Sequence, residues 1–154
     1  MLNIKLLVLG KLKESHWRDA ESEYFKRLKP YAKIELLELK EESFRDGDDR
    51  EKIKMNEAEK LEKHLSGTVI ALHERGKEMT SVELSNFLQK NSQQGEQITF
   101  VIGGPLGLHE SILEKSNHQI SLSQLTFPHQ MVRTILLEQL YRAVTIEKGK
   151  AYHY

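Results

Sequence analysis

The chain has 154 residues, enough for one domain with a sizeable core. Hydrophobic residues make up 38% and charged residues 30%, the composition of a globular protein rather than a disordered one. The absence of cysteine excludes disulfides and thiolate chemistry, and 23 basic against 23 acidic side chains leave no bulk charge with which to grip a polyanion.

In chain order, IKLLVLG (4–10) reads as a buried strand, nearly all apolar and stopped by Gly10. It is too short to span a bilayer and no small-residue cleavage site follows it, so a cytoplasmic protein is expected. ESHWRDAESEYFKRL (14–28) has helical spacing, with Trp17, Ala20, Tyr24 and Leu28 on one face. KIELLEL (33–39) is a second strand, and the acidic KEESFRDGDDR (40–50) a solvated loop. REKIKMNEAEKLEKHL (50–65) aligns Ile53, Leu61 and Leu65, with Glu57 the polar exception among them.

TVIALH (68–73) is a third strand, with HERGKEMTS (73–81) as the loop beyond it. TSVELSNFLQK (80–90) opens on a Thr80/Glu83 capping box and carries Val82, Leu84, Phe87 and Leu88. ITFVIGG (98–104) is the fourth strand, LHESILEKSN (108–117) a short helix, and HQISLSQLTF (118–127) a short strand running into a polar loop. PHQMVRTILLEQLYRAVTI (128–146) is a long helix that Pro128 suits in its first turn, Gly149 ends the segment, and KAYHY is a tail. Apolar strands alternating with helices imply an α/β fold, a mostly parallel sheet covered on both faces, in a single domain over 1–154.

Ligands of such sheets bind beyond the carboxyl ends of the strands. GGPLG, after the fourth strand, is either an ordinary strand-to-helix turn or a stretch kept bare so that a ligand can approach the backbone. It matches neither GxGxxG nor GxxxxGK[ST], which argues against a metabolic enzyme holding a phosphate-bearing nucleotide. In the long helix, Val132, Ile135, Leu136, Leu140, Ala143 and Val144 form one apolar stripe, and Met131, Leu137 and Tyr141 a second patch. Such a helix is either central to the core or shared with a partner subunit. Arg133 and Arg142, nine positions apart, fall on roughly opposite sides of it. Arg142 has a local partner in Glu138 at i,i+4. Charge is uneven: residues 1–33 hold eight basic and four acidic side chains, residues 34–64 seven and eleven, and residues 128–154 four and two with two histidines. A polyanion would meet the two ends and avoid the middle.

FVIGGPLGL followed by ISLSQLTFPHQMVRTILLEQLYRAVTIEKGKAYHY closely resembles the family of large-subunit ribosomal RNA methyltransferase H. These are SPOUT-class enzymes that methylate N3 of a pseudouridine in 23S rRNA. LVLGKLKESHW, EYFKRLKPY and TVIALHERGKEMTS extend the similarity over the whole chain. The resemblance implies a deep trefoil knot at the C-terminal end, a rare exception to the rule that chains do not thread themselves. It also implies a homodimer, S-adenosyl-L-methionine as cofactor without a metal, and large-subunit rRNA within the ribosome as partner. Carried over residue by residue, it places the cofactor against Leu72, Gly103, Gly104 and the loop of Leu122, Ser123, Gln124, Leu125, Thr126 and Phe127. The resemblance points to Arg142, Tyr152 and His153 as the catalytic candidates, with His129 nearby. Arg142 is expected to stabilise charge and orient, and His153 or Tyr152 to meet the base or its N3 proton. Family members often end in a basic residue after this histidine, whereas this chain has Tyr154, so a phosphate contact is either missing or replaced by stacking on a base. The alternative in another class is a knotted ribosome- or RNA-binding homologue without catalysis.

Overall fold

The computed structural model describes residues 1–154. Five strands form one sheet: β1 (Leu2–Leu9), β2 (Ala32–Leu39), β3 (Thr68–Glu78), β4 (Gln97–Ile102) and β5 (His118–Ser121). Five helices pack on it: α1 (Ser15–Leu28), α2 (Arg50–Glu62), α3 (Ser81–Asn91), α4 (Glu110–Lys115) and α5 (His129–Glu147). The spatial order is β2-β1-β4-β3-β5, and every pairing is parallel. This is the α/β architecture expected from the alternation of elements.

The central strands are nearly continuous in apolar residues because helices cover both their faces. Leu6 lies between Leu36 of β2 and Phe100 of β4 in register. Ile4, Leu6, Val8, Ile98 and Phe100 face the layer that holds Leu28 of α1, Leu84 and Leu88 of α3, and Leu136, Leu140 and Val144 of α5. Leu7, Leu9, Val69, Ala71 and Val101 face the opposite layer, with Ala58 and Leu61 of α2 and Ile112 and Leu113 of α4.

α5 packs against both α1 and α3 on its side of the sheet. Leu137, assigned from the sequence to a second patch, is fully buried in this core instead. Met131, Ile135, Glu138 and Arg142 recur at three- and four-residue spacing along a half-buried stripe. Arg133 is buried: its Nε and Nη2 donate to Glu21 of α1 at 2.8 and 3.0 Å, and its Nη1 donates to Glu38 of β2 at 2.9 Å. Glu21 therefore belongs to the inward face of α1 although it is charged. Burial pushes its carboxyl up, offset by the hydrogen bonds and charge of Arg133 and reinforced by the nearby Glu38.

Local signals at helix starts are realised unevenly. The Thr80/Glu83 box caps α3 reciprocally, but Val82 is exposed rather than in the core. Pro128 stands one residue before α5 as its N-cap, so His129 is the first helical residue. The larger departure is at HERGKEMTS. β3 does not end at His73; it leaves register after Leu72, bulges, and pairs again with β5 at Lys77 and Glu78. Gly76 permits this, since a β-carbon there would stand 2.7 Å from the Gln119 carbonyl carbon. The 40–50 segment is a mostly exposed irregular loop, as its charge suggests. The Glu42 backbone N–H donates to Glu57, which is buried in α2 at 3% exposure.

Candidate functional site

The carboxyl ends of β3 and β4 open into a cavity of about 640 Å3. Its floor is Ile102, Gly103 and Gly104, where β4 stops. Gly107 donates its N–H to the Gly104 carbonyl at 3.0 Å and takes φ +79°, a left-handed conformation that glycine adopts without strain. This folds Pro105–Gly107 back along the wall. Gly103 is packed against the turn so closely that a β-carbon would stand 2.8 Å from the Gly107 carbonyl carbon. The bare stretch thus makes a tight turn and one side of the cavity at once.

Leu72, Leu122, Ser123, Leu125, Thr126, Phe127 and His129 complete the lining from the set expected by sequence. Gln124 of that set is exposed and does not line the cavity. Leu125 is 70% exposed, an apolar side chain standing at the rim. Thr126 donates from Oγ1 to Glu74 at 3.0 Å, joining the 122–127 loop to the β3 bulge. Lys54, His73 and Glu74 also line the cavity; HERGKEMTS, with His73 and Glu74, is one of the two loops expected at the ligand-binding strand ends, although neither residue was singled out, and Lys54 was not expected. The bulge that carries His73 and Glu74 there was read as a plain loop, and Lys54 lies on a helix whose sequence distance from GGPLG gives no hint of proximity.

Behind Gly104 stand two carboxylates. Glu41 Oε2 and Glu57 Oε2 lie 3.6 and 3.7 Å from where a Gly104 β-carbon would be. Glu57 is pushed up by burial, its backbone hydrogen bond from Glu42 opposing and the Glu41 charge adding to the rise. Glu41 Oε2 is buried without a hydrogen-bond partner, 3.7 Å from His129 Nε2.

Arg142, Tyr152 and His153 form a separate cluster at the other end of α5. The Arg142 Nε and Nη2 both donate to Glu138 Oε1, at 3.0 and 2.7 Å. Its Nη1 lies 3.2 Å from His153 Nδ1. A guanidinium only donates, so in this contact Nδ1 is the acceptor. The guanidinium carbon sits 4.8 Å from the Tyr152 ring centroid, and the ring meets Tyr141 edge-on at 4.8 Å. Tyr152 donates from its hydroxyl to Glu138 at 3.3 Å. Burial, with Tyr24 and Glu138 beside it, pushes the Tyr152 phenol above its usual range, so it stands as a donor. Arg142 is held more firmly protonated by its hydrogen bonds to Glu138. The i,i+4 pair read from sequence is real, and Glu138 is also what fixes Tyr152, which the spacing does not reveal.

His129 and Arg142 are thirteen positions apart on one helix, roughly 20 Å along its axis. Within one chain the cavity, with His129, and the Arg142–Tyr152–His153 cluster are therefore distinct places. The structure contains no group of three or more His, Cys, Asp or Glu placed to hold a metal, and no helix long and apolar enough to cross a membrane.

Two solved structures share this fold. A methylase family protein from Haemophilus influenzae Rd KW20 superposes with a TM-score of 0.59 at 14% identity, over 99% of this chain and 71% of that one. A methylase family protein from Neisseria gonorrhoeae gives 0.54 at 12% identity, over 99% of this chain and 87% of that one. At such identities they speak to the fold alone. The family model described as predicted SPOUT methyltransferase aligns with residues 2–153, taking in the cavity and the Arg142 cluster together. The chain belongs to the SPOUT methyltransferase family.

Proposed function

We propose that the protein methylates N3 of a pseudouridine in 23S rRNA of the large subunit or assembled ribosome, with S-adenosyl-L-methionine as donor. The observation that carries this reading is the cavity beyond β3 and β4, walled on one side by the Gly103–Gly104 backbone and on the other by the 122–127 loop. Those two segments are where the resemblance to ribosomal RNA methyltransferase H is most specific. In the same reading the segment after β4 is the crossing of a deep trefoil knot.

The residues present suit the cofactor. Leu72, Leu122, Phe127 and Val132 offer an apolar slot for a purine. Glu74, Ser123 and Thr126 offer polar atoms for a ribose, and Gly103 leaves no side chain in the way. The bound cofactor supplies a sulfonium methyl that is already activated, so that the N3–C bond forms as the C–S bond breaks and a neutral thioether departs. The protein must align the three atoms and stabilise N3 as it loses its proton. Arg142 suits that second task, since a fixed cation beside the developing imide charge lowers its cost. His153, accepting from Arg142 through Nδ1, presents Nε2–H outward to orient the uracil ring.

Because that cluster lies roughly 20 Å along α5 from His129, the reading requires a homodimer in which one copy's Arg142 reaches its partner's cavity. The half-buried stripe of Met131, Ile135, Glu138 and Arg142 is the surface proposed for the seam. The protein carries no net charge, so a weak non-specific grip on RNA favours a substrate presented by an assembled particle.

The test uses ribosomes from a strain lacking this protein, the purified protein and methyl-labelled cofactor, followed by mass mapping of the RNA. Label at one pseudouridine of 23S rRNA is the expected result. Binding of S-adenosylhomocysteine without label on any ribosomal particle overturns the substrate, and absence of binding overturns the cofactor.

A further inference from the structure

Among the residues lining the cavity, Lys54 is the one lysine or arginine. It stands within α2, a helix on the opposite side of the sheet from α5, and lines the cavity together with Pro105–Gly107. Its side chain is only 20% exposed, so the ammonium is partly withdrawn from water. Its one hydrogen bond to a side chain is weak: Nζ lies 3.4 Å from Oε1 of Glu51, which is itself 73% exposed. The one carboxylate of the lining, Glu74, accepts from Thr126 Oγ1 at 3.0 Å. A mostly covered lysine side chain with a loose, solvated partner retains unused donor capacity, and the rest of the lining is backbone, apolar groups, imidazoles, the Ser123 and Thr126 hydroxyls and the Glu74 carboxylate.

We infer that Lys54 binds the carboxylate of the amino-acid end of the cofactor. This rests on the proposed use of S-adenosyl-L-methionine and adds the residue that recognises one part of it. A carboxylate is the group that a lone cation at a cavity wall selects, and the charge-assisted contact is stronger in a partly water-excluded site than on the surface. The purine and ribose have no anionic group for Lys54 to meet, so the residue discriminates ligands that carry the amino acid from those that lack it.

The test compares two thioethers by calorimetric titration: S-adenosylhomocysteine, which carries the amino-acid carboxylate, and 5′-methylthioadenosine, which does not. Lys54→Met keeps most of the side-chain stem and removes the charge. It is expected to weaken S-adenosylhomocysteine by about tenfold or more while leaving 5′-methylthioadenosine within about twofold. Lys54→Arg is expected to recover much of the loss, and thermal melting of both variants confirms the fold. Equal weakening of both ligands makes Lys54 a determinant of cavity shape and overturns the inference, as does unchanged binding of both. Failure of the unsubstituted protein to bind either thioether overturns the cofactor reading itself, a result distinct from any produced by the variants.

Discussion

Three glycines in five residues separate three physical causes, and alanine at each should cost differently. At Gly103 the added β-carbon would stand 2.8 Å from the Gly107 carbonyl carbon and 3.0 Å from the Leu108 nitrogen, both well inside the 3.4 Å where ordinary contact begins. Both neighbours are backbone held by the Gly104–Gly107 turn, so neither can swing aside. Overpacking of this kind costs about 1–3 kcal/mol. At Gly104 the β-carbon meets nothing closer than 3.6 Å, and the change should lie within about 0.5 kcal/mol. At Gly107 there is open space, but φ +79° imposes roughly 1 kcal/mol of backbone strain on any residue with a β-carbon. For a domain of this length each kcal/mol moves the melting temperature by about 2–4 °C. Circular dichroism melts at one fixed protein concentration should therefore rank the losses Gly103 first or level with Gly107, and Gly104 last. A Gly103→Ala protein melting within about 1 °C of the parent, or a Gly104→Ala protein losing as much as Gly103→Ala, would refute the steric account of this wall.

Arg133→Met leaves Glu21 and Glu38 facing each other without their cation, and denaturant melts should show a loss of about 3–5 kcal/mol; a loss below about 1 kcal/mol would mean that the triad is solvated in practice. Burial holds the Glu57 carboxyl above its ordinary 4.5, so the folded state binds that proton more tightly than the unfolded one. The sign follows: stability associated with protonated Glu57 is present at low pH and is lost as pH rises from 4.5 through the folded value. Glu57→Gln should therefore gain on the parent protein between pH 4.5 and about pH 8 in urea melts, and a gap that closes over that range contradicts the burial argument. Arg142→Lys keeps the charge but cannot reproduce a planar fork that spans Glu138 and His153. Methyl transfer to ribosomes should fall by about tenfold or more, with S-adenosylhomocysteine affinity moving much less; equal losses in both would place Arg142 in cofactor binding.

The sheet was legible because most strand interiors announce themselves: residues 4–9, 68–72 and 98–102 are nearly continuous apolar runs of the kind buried on two faces, while 33–39 mixes apolar and charged residues and lies half-buried at the edge. The long helix was legible for the same reason, together with its proline start. What escaped is non-local. His73 and Glu74 reach the cavity only because β3 bulges and then rejoins β5, and that pairing depends on Gln119 and Ile120 more than forty residues away. Nothing in the local sequence marks Glu21 as buried, because its cation, Arg133, lies 112 residues further on. Gly103 and Gly104 stood out in the sequence, since two adjacent glycines after a buried strand have few explanations. Lys54 did not stand out, being one lysine among many on a polar helix. The tail looked free to fray, but Tyr152 folds back onto Tyr141 and Glu138.

The placement of α5 between α1 and α3 has a consequence for biosynthesis. Leu136, Leu137, Leu140, Ala143 and Val144 complete a core whose other members, from Leu2 to Ile120, are all synthesised before them. The strand pairings are no more local, since β1 waits for β4, with Asn3 opposite Gln97. A nascent chain therefore holds one apolar sheet face open until translation has passed Val144 and α5 has cleared the exit tunnel. Parallel pairings of this separation form slowly, and exposed faces of this kind associate with one another. During that interval the open face is where the nascent chain is most exposed to self-association.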